Sequence, residues 1–277
     1  MPGTPSDKNI VQQHKVDAII SDNRYGLWYS KVYCVFITHQ LNIISPFLPR
    51  LINPALAALV RYFVKKFDEC WIPDYQGKVN ISGKLSHGRP IPVNARFIGP
   101  LSRFRLQNKS ESKVLSFDLV AIVSGPEPQR TIFKNRLLEQ LPIPGVRSLV
   151  ISGIPGNTQI AIREDGLYEA GHLDAETLFN ILASKPVVIC RAGYSTLMDI
   201  EVTGNPALLI PTPGQTEQQY LAQRLSAYPG FIYQPQNKIS LSAAYSILKH
   251  QLPPQFEKEE AGEMHIPELI ERLKNRN

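Results

Sequence analysis

The stretch Val187-Val188-Ile189-Cys190-Arg191-Ala192-Gly193-Tyr194-Ser195-Thr196-Leu197-Met198-Asp199 decides how the rest of the chain is read. Its apolar, β-branched start predicts a short buried strand. Gly193 makes a turn, and Ser195-Thr196 can cap the helix expected to begin there. A helix start offers unpaired backbone N–H groups, hydroxyls and the positive end of a dipole, which together attract phosphate. Asp199 follows the cap by about one helical turn, so it faces roughly the same side and can reach a pair of ribose hydroxyls. A strand followed by Gly and Ser also occurs in α/β folds with nothing bound.

The residues that follow repeat the pattern. Gly204-Asn205-Pro206 ends the helix, Ala207 to Ile210 read as another buried strand, and Pro211 to Gln215 as a loop. Gln218 and Gln219 open a further helix. Two consecutive strand–loop–helix units place both loops at the carboxyl ends of neighbouring parallel strands, where open α/β sheets bind ligands. An α/β fold with parallel sheets is therefore expected.

The chain has 277 residues and 43% apolar content, enough for one large or two medium domains with a real core. Charged residues make up 19%, and the 11 Tyr and 11 Phe argue against disorder. Cys34, Cys70 and Cys190 are widely spaced and odd in number, which fits a reduced, cytoplasmic setting. The first residues are polar, without the apolar core of a signal peptide, and no apolar run is long enough to cross a bilayer. Residues 1–113 carry 16 Lys/Arg against 7 Asp/Glu, a balance of +9, whereas residues 114–277 balance at −3. The basic first part either meets an anionic partner or is an ordinary solvated surface.

Taken in order, Met1 to Asn9 reads as a loose end. Val16 to Ser21 and Val32 to Thr38 read as buried strands, the second running into His39-Gln40-Leu41-Asn42. Pro46 to Phe67 carries Leu56, Leu59, Val60, Phe63, Val64 and Phe67 at helical spacing, with Arg50, Arg61, Lys65 and Lys66 among them. Such a helix either rests on an anionic membrane surface or packs on its own sheet with Lys and Arg stems over the edge. Cys70 to Asp74 is a short strand, residues 75–95 a Gly- and Pro-containing loop, and Gln107 to Lys113 a polar linker. Phe117 to Val123 opens a second domain, followed by Ser124-Gly125-Pro126-Glu127-Pro128-Gln129-Arg130 and a helix to Leu141. Arg130 can fork two diphosphate oxygens, and an Arg in a first helical turn opposes the dipole. Ser148 to Gly153 is a strand, Gly171-His172-Leu173 precede a helix over Ala175 to Ala183, and Gly230 to Gln234 is a last short strand. Ile266, Leu269, Ile270 and Leu273 mark a terminal amphipathic helix.

The run Cys190 to Thr196 with Asp199, then Gly204-Asn205-Pro206, Pro211 and Gln218-Gln219, resembles the donor-binding half of family 28 glycosyltransferases. The resemblance extends from about Val16 to about Gln251 and is strongest over 171–225. It implies a GT-B-like fold of two Rossmann-like domains, the first incomplete. The implied boundaries are an acceptor-side domain over 1–103, a linker at 104–113, a nucleotide-sugar domain over 114–251 and a tail with a helix over 252–277. The segment Phe97 to Arg103 resembles the hinge that closes the first domain.

By the same resemblance, Gly193, Ser195 and Thr196 hold the donor diphosphate, with Arg191 in their motif. Asp199 binds ribose, and Gln218 and Gln219 contact the sugar, with Gln215 at the end of the loop before them. Ser124, Gly125, Gln129 and Arg130 lie on the loop that touches the phosphates, and His172 and Leu173 lie where the uracil ring is held. Asp stands where Glu is usual at 199, and Ala222 where an Asn often follows the Gln pair. His39 and Asn42 match an acceptor-side loop, with Gln40 replacing a usual Glu, so His39 is either a base or a loop-capping residue.

The resemblance implies inverting transfer from a nucleotide-sugar donor, a UDP-sugar by preference, to an acceptor hydroxyl, lipid-linked in some relatives. The alternative is a donor-binding half-enzyme, or a truncated product, that needs a second chain or segment for activity. No cofactor and no metal are expected, since helix ends and Arg can neutralise the diphosphate and the loops hold no Asp-x-Asp pair. No nucleic-acid partner is expected. The location expected is the cytoplasm, with the cytoplasmic face of a membrane as a place of peripheral attachment.

Overall fold

The computed structural model describes residues 5–45, 49–105, 107, 115–251, 256, 270, 271 and 273. The start of the expected helix at Pro46, nearly all of the linker, and Ile266 and Leu269 lie outside the described residues. The chain divides into two compact units, Met1–Leu101 with Glu257–Asn277, and Ser102–Phe256.

The first unit holds a parallel sheet of four strands in sequence order: β1 (Ala18–Asp22), β2 (Tyr33–Ile37), β3 (Glu69–Ile72) and β4 (Ala95–Phe97). β4 falls at the end of a segment read as loop. Three residues after a Gly- and Pro-containing run are too few to carry a period, and only pairing with β3 makes them a strand. Helix α1 (Pro5–His14) takes up residues 5–9 of the loose end expected at the N-terminus, with Val11 buried. Helix α2 (Pro49–Val64) lays Ala57, Val60 and Val64 into the protein, and the last two pack with Cys34 and Phe36 of β2 and Cys70 and Ile72 of β3. Leu59, expected on the packed stripe, is 51% exposed, as is its neighbour Tyr62 at 57%. On the opposite sheet face Val35 and Trp71 pack with Ile98, and Leu273 lies against them. Alternation along β2 and β3 thus feeds two cores, as a sheet covered on both faces requires.

The second unit is a seven-stranded sheet in the order β11-β10-β9-β5-β6-β8-β7. Its strands are β5 (Leu119–Ile122), β6 (Ser148–Ile151), β7 (Ala161–Glu164), β8 (Leu167–Ala170), β9 (Val187–Cys190), β10 (Ala207–Leu209) and β11 (Phe231–Tyr233). All pairings are parallel except β7 with β8. That hairpin is absent from the sequence reading, because β7 is exposed along its whole length and carries no apolar alternation. Helices α3 (Gln129–Leu138), α4 (Ala175–Leu182), α5 (Tyr194–Thr203), α6 (Thr216–Leu225) and α7 (Leu241–Leu248) complete the unit. Phe133 and Leu137 of α3, with Leu241, Ala244 and Leu248 of α7, bury one face of β5, β9 and β10.

Candidate functional site

The sheet grows from β5 in both directions, to β6 on one side and to β9 on the other. This reversal of strand order opens a crevice at the carboxyl ends of β5 and β9, the place where such sheets take ligands. The loop after β5 runs through Ser124-Gly125, and the loop after β9 is Arg191-Ala192-Gly193.

Helix α5 starts from Gly193, not from the Ser195-Thr196 pair. Gly193 is the N-cap, with φ −74° and ψ 137°, and no side chain caps the helix. Ser195 and Thr196 sit inside the first turn instead, exposed and half-buried. The first backbone N–H groups of α5 therefore have no intrahelical acceptor and no side-chain cap. A Cβ built on Gly193 would meet nothing within 4 Å, so space lies open in front of the turn. Gly204 closes α5 in the left-handed conformation at φ 62°, as the sequence leads one to expect.

Arg191 is turned away from this space. It is 1% exposed, donating from Nη1 to the carbonyls of Ile210 and Pro211, each at 3.2 Å, and from Nη2 to that of Gln129 at 3.0 Å. Its guanidinium lies 4.1 Å from the Phe133 ring centroid, and burial lowers its pKa to about 10. Arg191 is thus a bolt between the β9 and β10 loops and the start of α3, not a ligand-facing cation. Arg130 is likewise engaged, with Glu127 Oε1 at 2.7 and 2.9 Å and the Gly153 carbonyl at 2.9 Å. Gln129 accepts on Oε1 from Gln236 at 3.3 Å.

Asp199 has partners already. Ser102 donates to Oδ1 at 2.7 Å and Arg103 to Oδ2 at 3.1 Å, while its side chain stays 14% exposed. Burial pushes its carboxyl pKa up, and the bonds from Ser102 and Arg103 pull the other way. Sequence reasoning missed Ser102 and Arg103, since nothing local couples them to a residue almost a hundred positions away.

Beside the crevice, the loop 154–157 arches over the end of β8. A Cβ on Gly171 would lie 2.7 Å from the Asn157 carbonyl oxygen and 2.8 Å from that of Ile154, so only glycine fits there. The His172 N–H is bound to the Asn157 carbonyl at 2.8 Å, with the His172 side chain exposed and Leu173 buried. At the β10 end, Gln215 is the N-cap of α6 without a side-chain bond. Gln218 accepts on Oε1 from the Thr212 N–H at 2.8 Å and so fixes the loop before it. Gln219 lines a cavity of about 420 Å³ with Pro211, Pro213 and Gly214.

In the first unit, His39 follows the carboxyl end of β2, half-buried, with Gln40 Nε2 3.5 Å from its Nε2. Asn42 is tied to the backbone of the facing loop. Its Nδ2 donates to the carbonyls of Lys84 at 3.0 Å and His87 at 3.4 Å, and its N–H to that of Leu85 at 2.7 Å. The loop that it holds is organised further by buried Asp74, whose carboxylate accepts from the N–H groups of Tyr75, Ile81 and Ser82. Among the described residues no group of three or more His, Cys, Asp or Glu is arranged to hold a metal.

Residues 175–273 match the model of the glycosyltransferase family 28 C-terminal domain. An uncharacterized glycosyltransferase of Methanosarcina acetivorans is 23% identical over 237 residues, 78% of this chain and 60% of that protein. This chain therefore spans about 60% of the length of that relative. The UDP-N-acetylglucosamine–N-acetylmuramyl-(pentapeptide) pyrophosphoryl-undecaprenol N-acetylglucosamine transferase of Rhizobium etli is 39% identical over 71 residues, 25% of this chain and 19% of its own length. The solved glycotransferase of kitacinnamycin superposes with a TM-score of 0.61 at 11% identity, over 97% of this chain and 79% of that one. A Methanocaldococcus jannaschii UDP-GlcNAc 2-epimerase superposes at 0.56 and 11% identity, covering 98% and 79%. At such identities the likeness establishes the α/β fold with parallel sheets and leaves the reaction to other arguments.

Proposed function

We propose that this chain, whose residues 175–273 match the glycosyltransferase family 28 C-terminal domain, binds a nucleotide-sugar in its second unit, a UDP-sugar by preference, for transfer of the sugar to an acceptor hydroxyl. The observation that carries this reading is the uncapped start of α5 at Gly193, open in front and seated at the strand-order reversal between β5 and β9. The N–H groups of that turn and the hydroxyls of Ser195 and Thr196 receive the diphosphate without a metal. Asp199 receives the ribose by exchanging or sharing its bonds with Ser102 and Arg103. Ser124, Gly125, Gln129 and Arg130 face the phosphates from the β5 side, His172 and Leu173 border the base, and Gln215, Gln218 and Gln219 border the sugar.

Gly193→Ala tests the socket. Its φ suits any residue and its Cβ has room, so stability should fall by only about 1 kcal/mol, the preference of an N-cap for Gly over Ala, whereas a methyl group in the phosphate's path should weaken UDP by about tenfold or more in calorimetry. Equal UDP affinity in the two proteins, or no nucleotide diphosphate bound by the folded wild type, overturns the assignment.

Transfer itself needs an acceptor and a base. His39 is the proposed base, at the carboxyl edge of the first sheet. A second reading, a donor-binding subunit that works with another segment or chain, is favoured by the commitment of Asn42 to backbone carbonyls. Donor consumption with lipid and glycan acceptors separates the two: turnover lost in His39→Ala supports the first, and donor binding without turnover the second. A lipid-linked acceptor and attachment to the cytoplasmic face of a membrane belong to the same proposal. The exposed Leu59 and Tyr62, with Lys65 and Lys66 beside them, support it.

A further inference from the structure

The cavity at the carboxyl ends of β10 and β11 holds two unmet demands. Its volume is about 420 Å³, and its lining includes Arg136, Pro211, Gln219, Tyr233, Gln236 and Asn237. Arg136 projects from the last turn of α3, half-buried, and its guanidinium has no ion pair or hydrogen bond among the described residues. Gln236 is 8% exposed, gives its Nε2 to Gln129, and leaves Oε1 buried without a donor. Turning both amides over would exchange an unmet acceptor for an unmet donor, so the demand stays whichever way they are assigned. A buried polar atom of this kind destabilises the fold until something pairs with it. A sugar hydroxyl can satisfy it in either sense, being donor and acceptor at once.

A hydroxyl alone leaves Arg136 unanswered. A planar guanidinium at the wall of a cavity matches a carboxylate, which it can bind through two parallel N–H bonds. Three lining residues tie the cavity to the segments proposed for the donor: Gln219 on α6, Pro211, whose carbonyl accepts from Arg191, and Gln236, whose amide is bonded to Gln129. The geometry points to a sugar that carries a carboxylate, so that the donor is a nucleotide uronic acid, with Arg136 on the carboxylate and Gln236 on a ring hydroxyl. This inference rests on the donor-site reading above and adds the class of sugar to it.

The test compares UDP, UDP-glucose and UDP-glucuronate on the wild type, Arg136→Gln and Arg136→Lys by calorimetry. UDP-glucuronate should bind the wild type about tenfold or more tighter than UDP-glucose, the worth of one charged hydrogen-bonded pair. Arg136→Gln should bring the two sugars to within about twofold while UDP stays unchanged, and Arg136→Lys should restore part of the preference. Equal affinity of the two sugars for the wild type, with UDP bound, overturns the uronate inference and leaves the donor site standing. A preference that survives Arg136→Gln overturns it also, and no binding of any of the three overturns both.

Discussion

Arg103 donates from Nε to Asp199 Oδ2 at 3.1 Å, which closes the side of the carboxylate left free by Ser102 at Oδ1. The residue proposed for ribose is thus held by two neighbours from a segment far away in sequence. Asp199→Ala should weaken UDP by roughly 1–3 kcal/mol, the worth of a charge-assisted hydrogen bond. Ser102→Ala removes a competing donor and should leave UDP affinity equal or slightly tighter, by up to about 1 kcal/mol. Calorimetry checks both. A tenfold loss in Ser102→Ala would mean that the hydroxyl itself contacts the nucleotide.

Arg191 should behave as part of the fold. Arg191→Ala removes a stacked guanidinium from Phe133 and takes a donor from three carbonyls. A loss of about 3 kcal/mol or more in urea unfolding is expected. An unchanged midpoint with UDP binding abolished would show instead that Arg191 reaches the ligand.

Glu169 sets a pH dependence. Burial raises its pKa, but bonds from Lys134, Ser152 and Arg163 outweigh that and bring it from 4.5 to about 2. A carboxyl lowered in the folded state stabilises above its ordinary value, and that stability is lost as pH falls from about 4.5 toward about 2. With the side chain 25% exposed, screening reduces the contribution to about 1–2 kcal/mol. Glu169→Gln should therefore unfold more easily at pH 7 and show a flatter acid limb. Parallel acid limbs for the two proteins would refute this.

The membrane proposal narrows to two lysines. Arg61 is bound to the carbonyls of Ala57 and Pro90, whereas Lys65 and Lys66 are exposed next to Tyr62. Lys65→Gln with Lys66→Gln should reduce co-sedimentation with anionic vesicles, each charge contributing about 1 kcal/mol near such a surface. Equal sedimentation of the two proteins would leave α2 as a helix that serves its own sheet.

The cysteines should be inert while the protein is folded. Cys34, Cys70 and Cys190 are free and buried, and burial pushes the thiols of Cys70 and Cys190 up to about 12. Alkylation should wait for denaturant, since thiolate is the reactive form. Rapid labelling of Cys190 in native protein would require β9 to open.

What the sequence determined by itself is local. Val187 to Cys190, the turn at Gly193, the end of α5 at Gly204 and the strand at Ala207 follow from residues within one turn or one pleat of each other. Periodicity and glycine conformation act over that range, so the strand–turn–helix units and the parallel class of sheet were legible. The tertiary structure alone decided which side chains face the ligand space. Arg191 looks like a phosphate cation in the motif, yet the nearest acceptors for its guanidinium are carbonyls on α3 and the β10 loop, 62 and about 20 residues away. Asn42 is drawn to carbonyls 42 and 45 residues on, and Asp199 to a hydroxyl 97 residues back. β4 and the β7–β8 hairpin exist because neighbouring strands offer them hydrogen bonds. Partners so distant leave no period in the sequence, because pairing and burial are fixed only when the sheet has formed.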